Sequence, residues 1–85
     1  MSSDKRLLTI IVNGVPAVIE RNANAPLKSL VEKALNDTGN VGQPVDNWEI
    51  RDAAGTVLDL SRKIGEFDFP DDVKLFLSLK AGVGG

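Results

Sequence analysis

The chain has 85 residues, of which 42% are hydrophobic and 26% are charged, and its formal net charge is −2. This composition is typical of one ordinary globular domain with a modest core. The chain contains neither cysteine nor histidine, which excludes disulfides, thiolate nucleophiles, Cys- or His-based zinc sites and Ser-His-Asp triads. We therefore expect a protein that is not an enzyme and has no catalytic residues, metal or cofactor of its own.

The first predicted elements form a β-hairpin. Residues 7–12 are apolar and largely β-branched, and Asn13-Gly14 follows them, which favours a two-residue type I′ turn with Val12 opposite Val15. Because proline cannot donate to a sheet ladder, Pro16 predicts that the second strand lies at an edge. The face turned away from the core would carry Leu7, Thr9, Ile11, Pro16, Val18 and Glu20.

A helix is predicted next. Pro26 suits the first turn of a helix, and apolar residues then recur at helical spacing from Leu27 to Leu35, which gives one buried stripe. Gly39 is well placed to end the helix. Asp37-Thr38-Gly39 matches the aspartic protease signature, but it follows a helix here and not a strand, so we favour the capping role.

The second half is predicted to supply the remaining strands. Residues 48–51 alternate as a short strand, with Trp48 in the core, and Val57-Leu58 would begin a brief return strand. Ser61 could cap a short helical turn that runs through Ile64. Residues 73–79 alternate strictly and predict a final strand. The acidic residues between these elements are expected to form a solvated turn and not a calcium loop, namely Glu66, Asp68, Asp71 and Asp72.

Charge and hydropathy give a first indication of partners and location. Basic and acidic residues are interspersed, without the basic stripe of a nucleic-acid-binding protein. No apolar run approaches the roughly 18 residues of a membrane span, and the start of the chain, MSSDKR, lacks the apolar segment of a signal peptide. These features predict a cytoplasmic protein that binds neither nucleic acid nor membrane.

The order of elements and the glycine-rich end together resemble ubiquitin and its relatives. The most specific part is the run from residues 58–61 (LDLS) through Phe67 and the final strand to KAGVGG at residues 80–85. The resemblance implies an α+β fold of the β-grasp type, in which a mixed sheet of four or five strands packs on one helix. It further implies a monomer, with the β-grasp domain in residues 1–79 and a flexible tail in residues 80–85.

This family implies a use for the tail. An ATP-dependent activating enzyme would adenylate the carboxylate of Gly85. The acyl group would then pass to a thiol of a conjugating enzyme and from there to amines on target proteins. A deconjugating protease would release the modifier again. Glycine lacks a Cβ atom and can thread a narrow enzyme channel. ATP would be consumed by the partner and not held by this chain. The partner enzymes would read Lys80, Ala81, Gly82, Val83 and Gly84.

The chain also departs from ubiquitin. The tail lacks ubiquitin's arginines, and the third strand should turn Glu49 and Arg51 outward where ubiquitin has an apolar residue. These differences imply a dedicated set of partner enzymes, and a prokaryotic setting fits them. A substitute partner-binding surface is predicted on the outer face of the sheet, formed by Leu7, Ile11, Val18 and Phe76 together with Glu49 and Arg51.

Two other functions fit the same pattern. Sulfur carriers of cofactor biosynthesis also resemble ubiquitin and end in Gly-Gly, but their terminal carboxylate becomes a thiocarboxylate that donates sulfur. A β-grasp interaction module with incidental glycines is the third reading. The fate of Gly85 distinguishes all three, because it would be an amide to protein, a thiocarboxylate or an unmodified carboxylate.

Overall fold

The computed structural model describes residues 7–42 and 44–80 and contains four strands, one α-helix and two 3₁₀ helices. The first 3₁₀ helix covers Val45–Asn47 and the second covers Ile64–Phe67. The strands and the α-helix are β1 (Leu7–Val12), β2 (Val15–Glu20), α1 (Leu27–Asp37), β3 (Trp48–Arg51) and β4 (Lys74–Leu79).

The four strands form one mixed sheet in the order β2-β1-β4-β3. β1 pairs antiparallel with β2 and parallel with β4, and β3 pairs antiparallel with β4. The predicted hairpin is confirmed, since Val12 faces Val15 and the turn residues Asn13 and Gly14 have φ of 50° and 85°, as a type I′ turn requires. The edge position that Pro16 predicted for β2 is also confirmed.

Helix α1 covers one face of this sheet and closes a single core. The apolar stripe predicted from helical spacing is buried, while the residues between its members are exposed. Trp48 and Ile50 of β3 lie in the core, as the alternation of that strand predicted. The buried cluster also includes Leu8, Ile10, Val12, Ala17, Ile19, Leu27, Leu30, Val31, Ala34, Leu35, Ile64, Leu75 and Leu77. The predicted β-grasp architecture, with one helix on a four-stranded mixed sheet, is confirmed.

The Asp37-Thr38-Gly39 triplet forms the end of α1. The Thr38 hydroxyl donates to the carbonyl oxygen of Ala34 at 2.8 Å, and the Asn40 side-chain amide donates to that hydroxyl at 2.8 Å. Gly39 has φ of 77°, the left-handed conformation that commonly ends a helix. The threonine and glycine of the triplet are therefore engaged in closing the helix.

The predicted return strand at Val57-Leu58 is wrong. Val57 makes only an isolated bridge with Arg51, and the Leu58 N–H donates to the Ile50 carbonyl at 2.9 Å. The Asp52 carboxylate accepts the N–H groups of Ala54 and Thr56, each at 3.0 Å. These bonds close a tight local turn, so the chain meets β3 at one point instead of along a ladder.

The predicted capping role of Ser61 is also wrong, because the 3₁₀ helix begins at Ile64. The Ser61 hydroxyl and backbone N–H both donate to the Asp59 carboxylate, at 2.7 and 2.9 Å. The hydroxyl bond and then the N–H bond lower the pKa of Asp59 below its ordinary value. Ser61 thus stabilises a turn at Asp59 and is not free to cap a helix.

Across residues 7–42 and 44–80, no helix is long or apolar enough to cross a membrane. Helix α1, with 11 residues, would reach only about 17 Å at 1.5 Å per residue, against a hydrocarbon layer of about 30 Å.

Candidate interaction site

The strand that leads to the tail is held on both sides. β4 lies between β1 and β3, and its inward residues Leu75 and Leu77 are buried. β4 ends at Leu79, and the Lys80 N–H donates to the carbonyl oxygen of Asn47 at 2.8 Å. The prediction that Lys80 belongs to the flexible tail is therefore wrong for its backbone, which is bonded to the body. The other predicted tail residues lie outside the described residues, namely Ala81, Gly82, Val83, Gly84 and Gly85.

Two of the predicted surface residues, Ile11 and Phe76, are direct neighbours on the outer face of the sheet. Ile11 of β1 is opposite Phe76 of β4 on one side and opposite Pro16 of β2 on the other. Val18 follows two residues after Pro16 on the same face, which places it diagonally across from Ile11, about 7–8 Å away. We call Ile11, Pro16, Val18 and Phe76 the outer-face patch.

The outer-face patch is accessible to a partner. Val18 is 60% exposed and Phe76 is 42% exposed, while Ile11 is partly buried between them. Monomeric proteins normally expose large apolar residues singly, and a contiguous group of them often marks an interaction site. Pro16, which the alternation of β2 predicts to point outward, joins the patch because it directly faces Ile11.

Leu7 lies at the other end of this surface. It is 50% exposed, as predicted, and it starts β1 opposite Glu20. Val18 lies two residues before Glu20 on the same face, so it is diagonally across from Leu7 as it is from Ile11. Four residues along a strand correspond to about 13 Å, so Leu7 borders the outer-face patch at Val18 and not at Ile11.

The edge of this face at β3 is polar. The Arg51 guanidinium donates to the Glu49 carboxylate, and both side chains project from the same side of the strand. Arg51 is opposite Phe76 in the sheet, so the ion pair borders the outer-face patch. An exposed pair of this kind contributes at most about 1 kcal/mol to stability. It nevertheless gives the outer-face patch a charged border on this side, in agreement with the predicted outward positions of Glu49 and Arg51.

The acidic residues near the start of β4 do not assemble into a metal site. Within residues 7–42 and 44–80, no three His, Cys, Asp or Glu side chains are grouped closely enough to hold an ion. The candidate site therefore consists of a surface and the strand that leads to the tail.

Solved structures define the class of this fold. The ubiquitin of Caldiarchaeum subterraneum matches with a TM-score of 0.73 at 20% sequence identity, over 95% of this chain and 99% of that one. The ubiquitin-like domain of an Arabidopsis thaliana protein matches with a TM-score of 0.72 at 17% identity, over 94% of this chain and 82% of that one. A designed protein based on ubiquitin gives 0.76 at 18% identity, over 99% of both chains. The fold is the ubiquitin-like β-grasp.

Sequence comparison adds the family. Residues 2–85 match the family described as "Protein of Unknown function (DUF2604)", and the chain belongs to it. The chain is also similar to the uncharacterized protein y4jI of Sinorhizobium fredii, with 53% identity over 78 residues. That alignment takes in 92% of this chain and 60% of the relative, so the chain spans less than two thirds of the relative's length.

Proposed function

We propose that this ubiquitin-like protein is a protein modifier that is joined to amines on target proteins through the carboxylate of Gly85. One observation carries the proposal. A ubiquitin-like body ends its central strand at Leu79, and Gly84-Gly85 follows within six residues. The proposal requires Gly85 to be the terminal residue of the active protein.

The geometry of β4 suits this use. Ladders on both sides fix the strand, and the bond from Lys80 to Asn47 fixes the point where the chain leaves the body. Five further residues can extend at most about 18 Å. The Gly85 carboxylate would thus reach into the active site of an enzyme while the body docks outside it.

The chemistry would belong to the partners. An activating enzyme would adenylate the Gly85 carboxylate with ATP and release pyrophosphate. A thiol of a conjugating enzyme would then take over the acyl group with release of AMP, and a target amine would displace that thiol to form the amide. A deconjugating protease would hydrolyse the product. The chain lacks cysteine and histidine, which agrees with the role of a substrate. We infer a monomeric modifier of the cytoplasm of a prokaryotic cell, and the relative from Sinorhizobium fredii supports a bacterial setting.

The chain carrying an N-terminal tag, expressed in its native host, tests this proposal. We expect species that carry the tag, are heavier than the free protein and persist under denaturing and reducing conditions. The free protein should have the intact mass of a chain whose last residue is Gly85. A free pool shifted by one oxygen-to-sulfur exchange, without heavier species, would instead establish the sulfur carrier. An unmodified free pool without heavier species would favour the interaction module.

The outer-face patch is proposed as the surface by which the partner enzymes recognise the body. Replacing Phe76 with alanine removes the one aromatic ring of the patch, and truncation of an aromatic that acts as a hot spot costs about 2 kcal/mol or more. We therefore expect Phe76→Ala to lower the amount of conjugate in the host at least about five-fold. Val41→Ala is the control, because Val41 is exposed but lies outside the patch. Equal conjugate levels in the two variants would remove the patch from the proposal.

A further inference from the structure

A groove of about 650 Å³ lies at the start of β4, at the opposite end of that strand from the tail. Three parts of the chain form it, namely the turn after β3, Leu58 and residues 67–74. Its size is within the range of sites that hold several side chains of a ligand. It contains no residue of the outer-face patch, so it is a separate surface.

The floor of this groove is apolar and well supported. Leu58, Phe67, Phe69 and Val73 line it, and all four also pack against the core. The rings of Phe67 and Phe69 stack with their centroids 5.1 Å apart and their planes within 4° of parallel. Asp68 between them has φ of 54°, the left-handed conformation, which brings the two rings together.

Arg21 holds this loop in place. Its guanidinium donates to the carbonyl oxygens of Phe69 at 3.2 Å and Pro70 at 2.8 Å. These bonds join the loop to the end of β2, far away in the sequence. A floor anchored in this way is preorganised, so less ordering free energy is needed when a ligand binds.

The rim is acidic. Asp52, Asp68, Asp72 and Lys74 line the groove, so its rim carries three acidic residues and one basic residue, while the guanidinium groups of Arg21 and Arg62 lie against its loop and floor. Asp68 and Asp72 form no hydrogen bond or ion pair with the residues that the structure describes. Asp52 uses one carboxylate oxygen, Oδ1, for its own turn.

We propose that this acidic groove binds a segment of a partner protein in which arginine or lysine lies beside apolar side chains. The carboxylates on the rim would pair with the cationic groups, and the methylene stems and apolar neighbours would pack on the floor. A cationic group already lies on this floor, because the guanidinium of Arg62 is 5.2 Å from the ring centroid of Phe67. The inference does not depend on the proposed reaction of Gly85, and a partner held at this end of β4 leaves the tail free.

Titration of the ¹⁵N-labelled chain with short peptides tests this inference. The probe is an acetylated, amidated pentapeptide of alternating leucine and arginine. We expect its chemical-shift changes to concentrate at Asp52, Ala54 and residues 67–74, and its affinity to fall as salt is added. A matched peptide with glutamate in place of arginine should not bind. A matched peptide with glycine in place of leucine should bind more weakly.

Two double variants distinguish peptide binding in the groove from general attraction between opposite charges. Asp68→Asn with Asp72→Asn removes two rim charges, and asparagine tolerates the positive φ at position 68. Glu32→Gln with Asp37→Asn removes the same charge from exposed positions of α1. We expect a Kd about five-fold higher for the groove variant, as two exposed charge pairs allow, and an unchanged Kd for the helix variant, with Trp48 fluorescence confirming that both fold.

Four results would overturn the inference. These are an equal loss of affinity in the two variants, shift changes centred on the outer-face patch, equal binding of the glutamate peptide, and equal binding of the glycine peptide.

Discussion

Replacing Leu75 with alanine is expected to lower the free energy of unfolding by about 2–5 kcal/mol. Leu75 is 0% exposed in the central strand β4 and lies opposite Ile10 of β1, which is also 0% exposed. Removing its side chain leaves a cavity between the sheet and α1 that packed neighbours on both sides cannot fill. Domains of this size are stable by only about 5–10 kcal/mol, so this one change would remove a large share of the stability.

Urea unfolding followed by Trp48 fluorescence measures this loss. Trp48 is 2% exposed, so its emission should shift when the core opens to water. Ser78→Ala on the same strand is the control, because Ser78 is exposed and such surface changes usually stay within about 0.5 kcal/mol. A Leu75→Ala variant within about 1 kcal/mol of the parent chain would mean that the core is not built around β4.

Deleting Gly84 and Gly85 is expected to abolish conjugation completely while leaving the stability of the body unchanged. The terminal carboxylate would then belong to Val83, whose branched side chain crowds the acyl carbon where a nucleophile must approach. The ladders of β4 end at Leu79, so the deletion leaves every strand pairing of the described residues in place. The tagged deletion variant should therefore appear in its native host only as free protein, with unfolding free energy within about 0.5 kcal/mol of the parent.

Deletion of Ser2 and Ser3 serves as the matched control, because it removes two small residues from the other end of the chain. We expect this variant to form the same heavier species as the parent. Heavier species in the variant without Gly84 and Gly85 would show that the body is joined to other proteins through a different group, and the proposed role of the glycines would be lost.

Much of the fold could be predicted because local patterns specify it. The Asn13-Gly14 turn set the register of the hairpin, and Pro16 identified the edge strand. Helical spacing identified the buried stripe of α1. In each case one short-range rule, either positive φ in the turn, a missing donor or a period of 3.6 residues, decides the outcome.

The errors fall where polar side chains compete for the backbone. Asp52 closes the turn that ends β3, and Asp59 holds Ser61 away from the following 3₁₀ helix. Such bonds leave no periodic signal, and the residue types involved are equally common in turns and caps. The sequence therefore predicted a strand at Val57-Leu58 and a helix start at Ser61, where side-chain bonds form turns instead.

The two candidate surfaces depend on long-range pairing. Alternation placed Ile11 and Phe76 on the outer face, but their contact requires the parallel register of β1 and β4, which lie at opposite ends of the sequence. The acidic groove joins three separated parts of the chain. From the sequence, its carboxylates could only be recognised as a solvated acidic turn, because the apolar floor between them is a tertiary feature.

Tandem mass spectrometry of the bond at Gly85 tests the proposed modifier most directly. Trypsin cleaves after Lys80, so a modified target would retain residues 81–85, AGVGG, on one of its lysines. We predict peptides from other host proteins in which the carbonyl carbon of Gly85 forms an amide bond with a lysine Nζ. Recovery of Gly85 only as a free carboxylate or a thiocarboxylate, in a host that expresses the partner enzymes, would contradict the proposal.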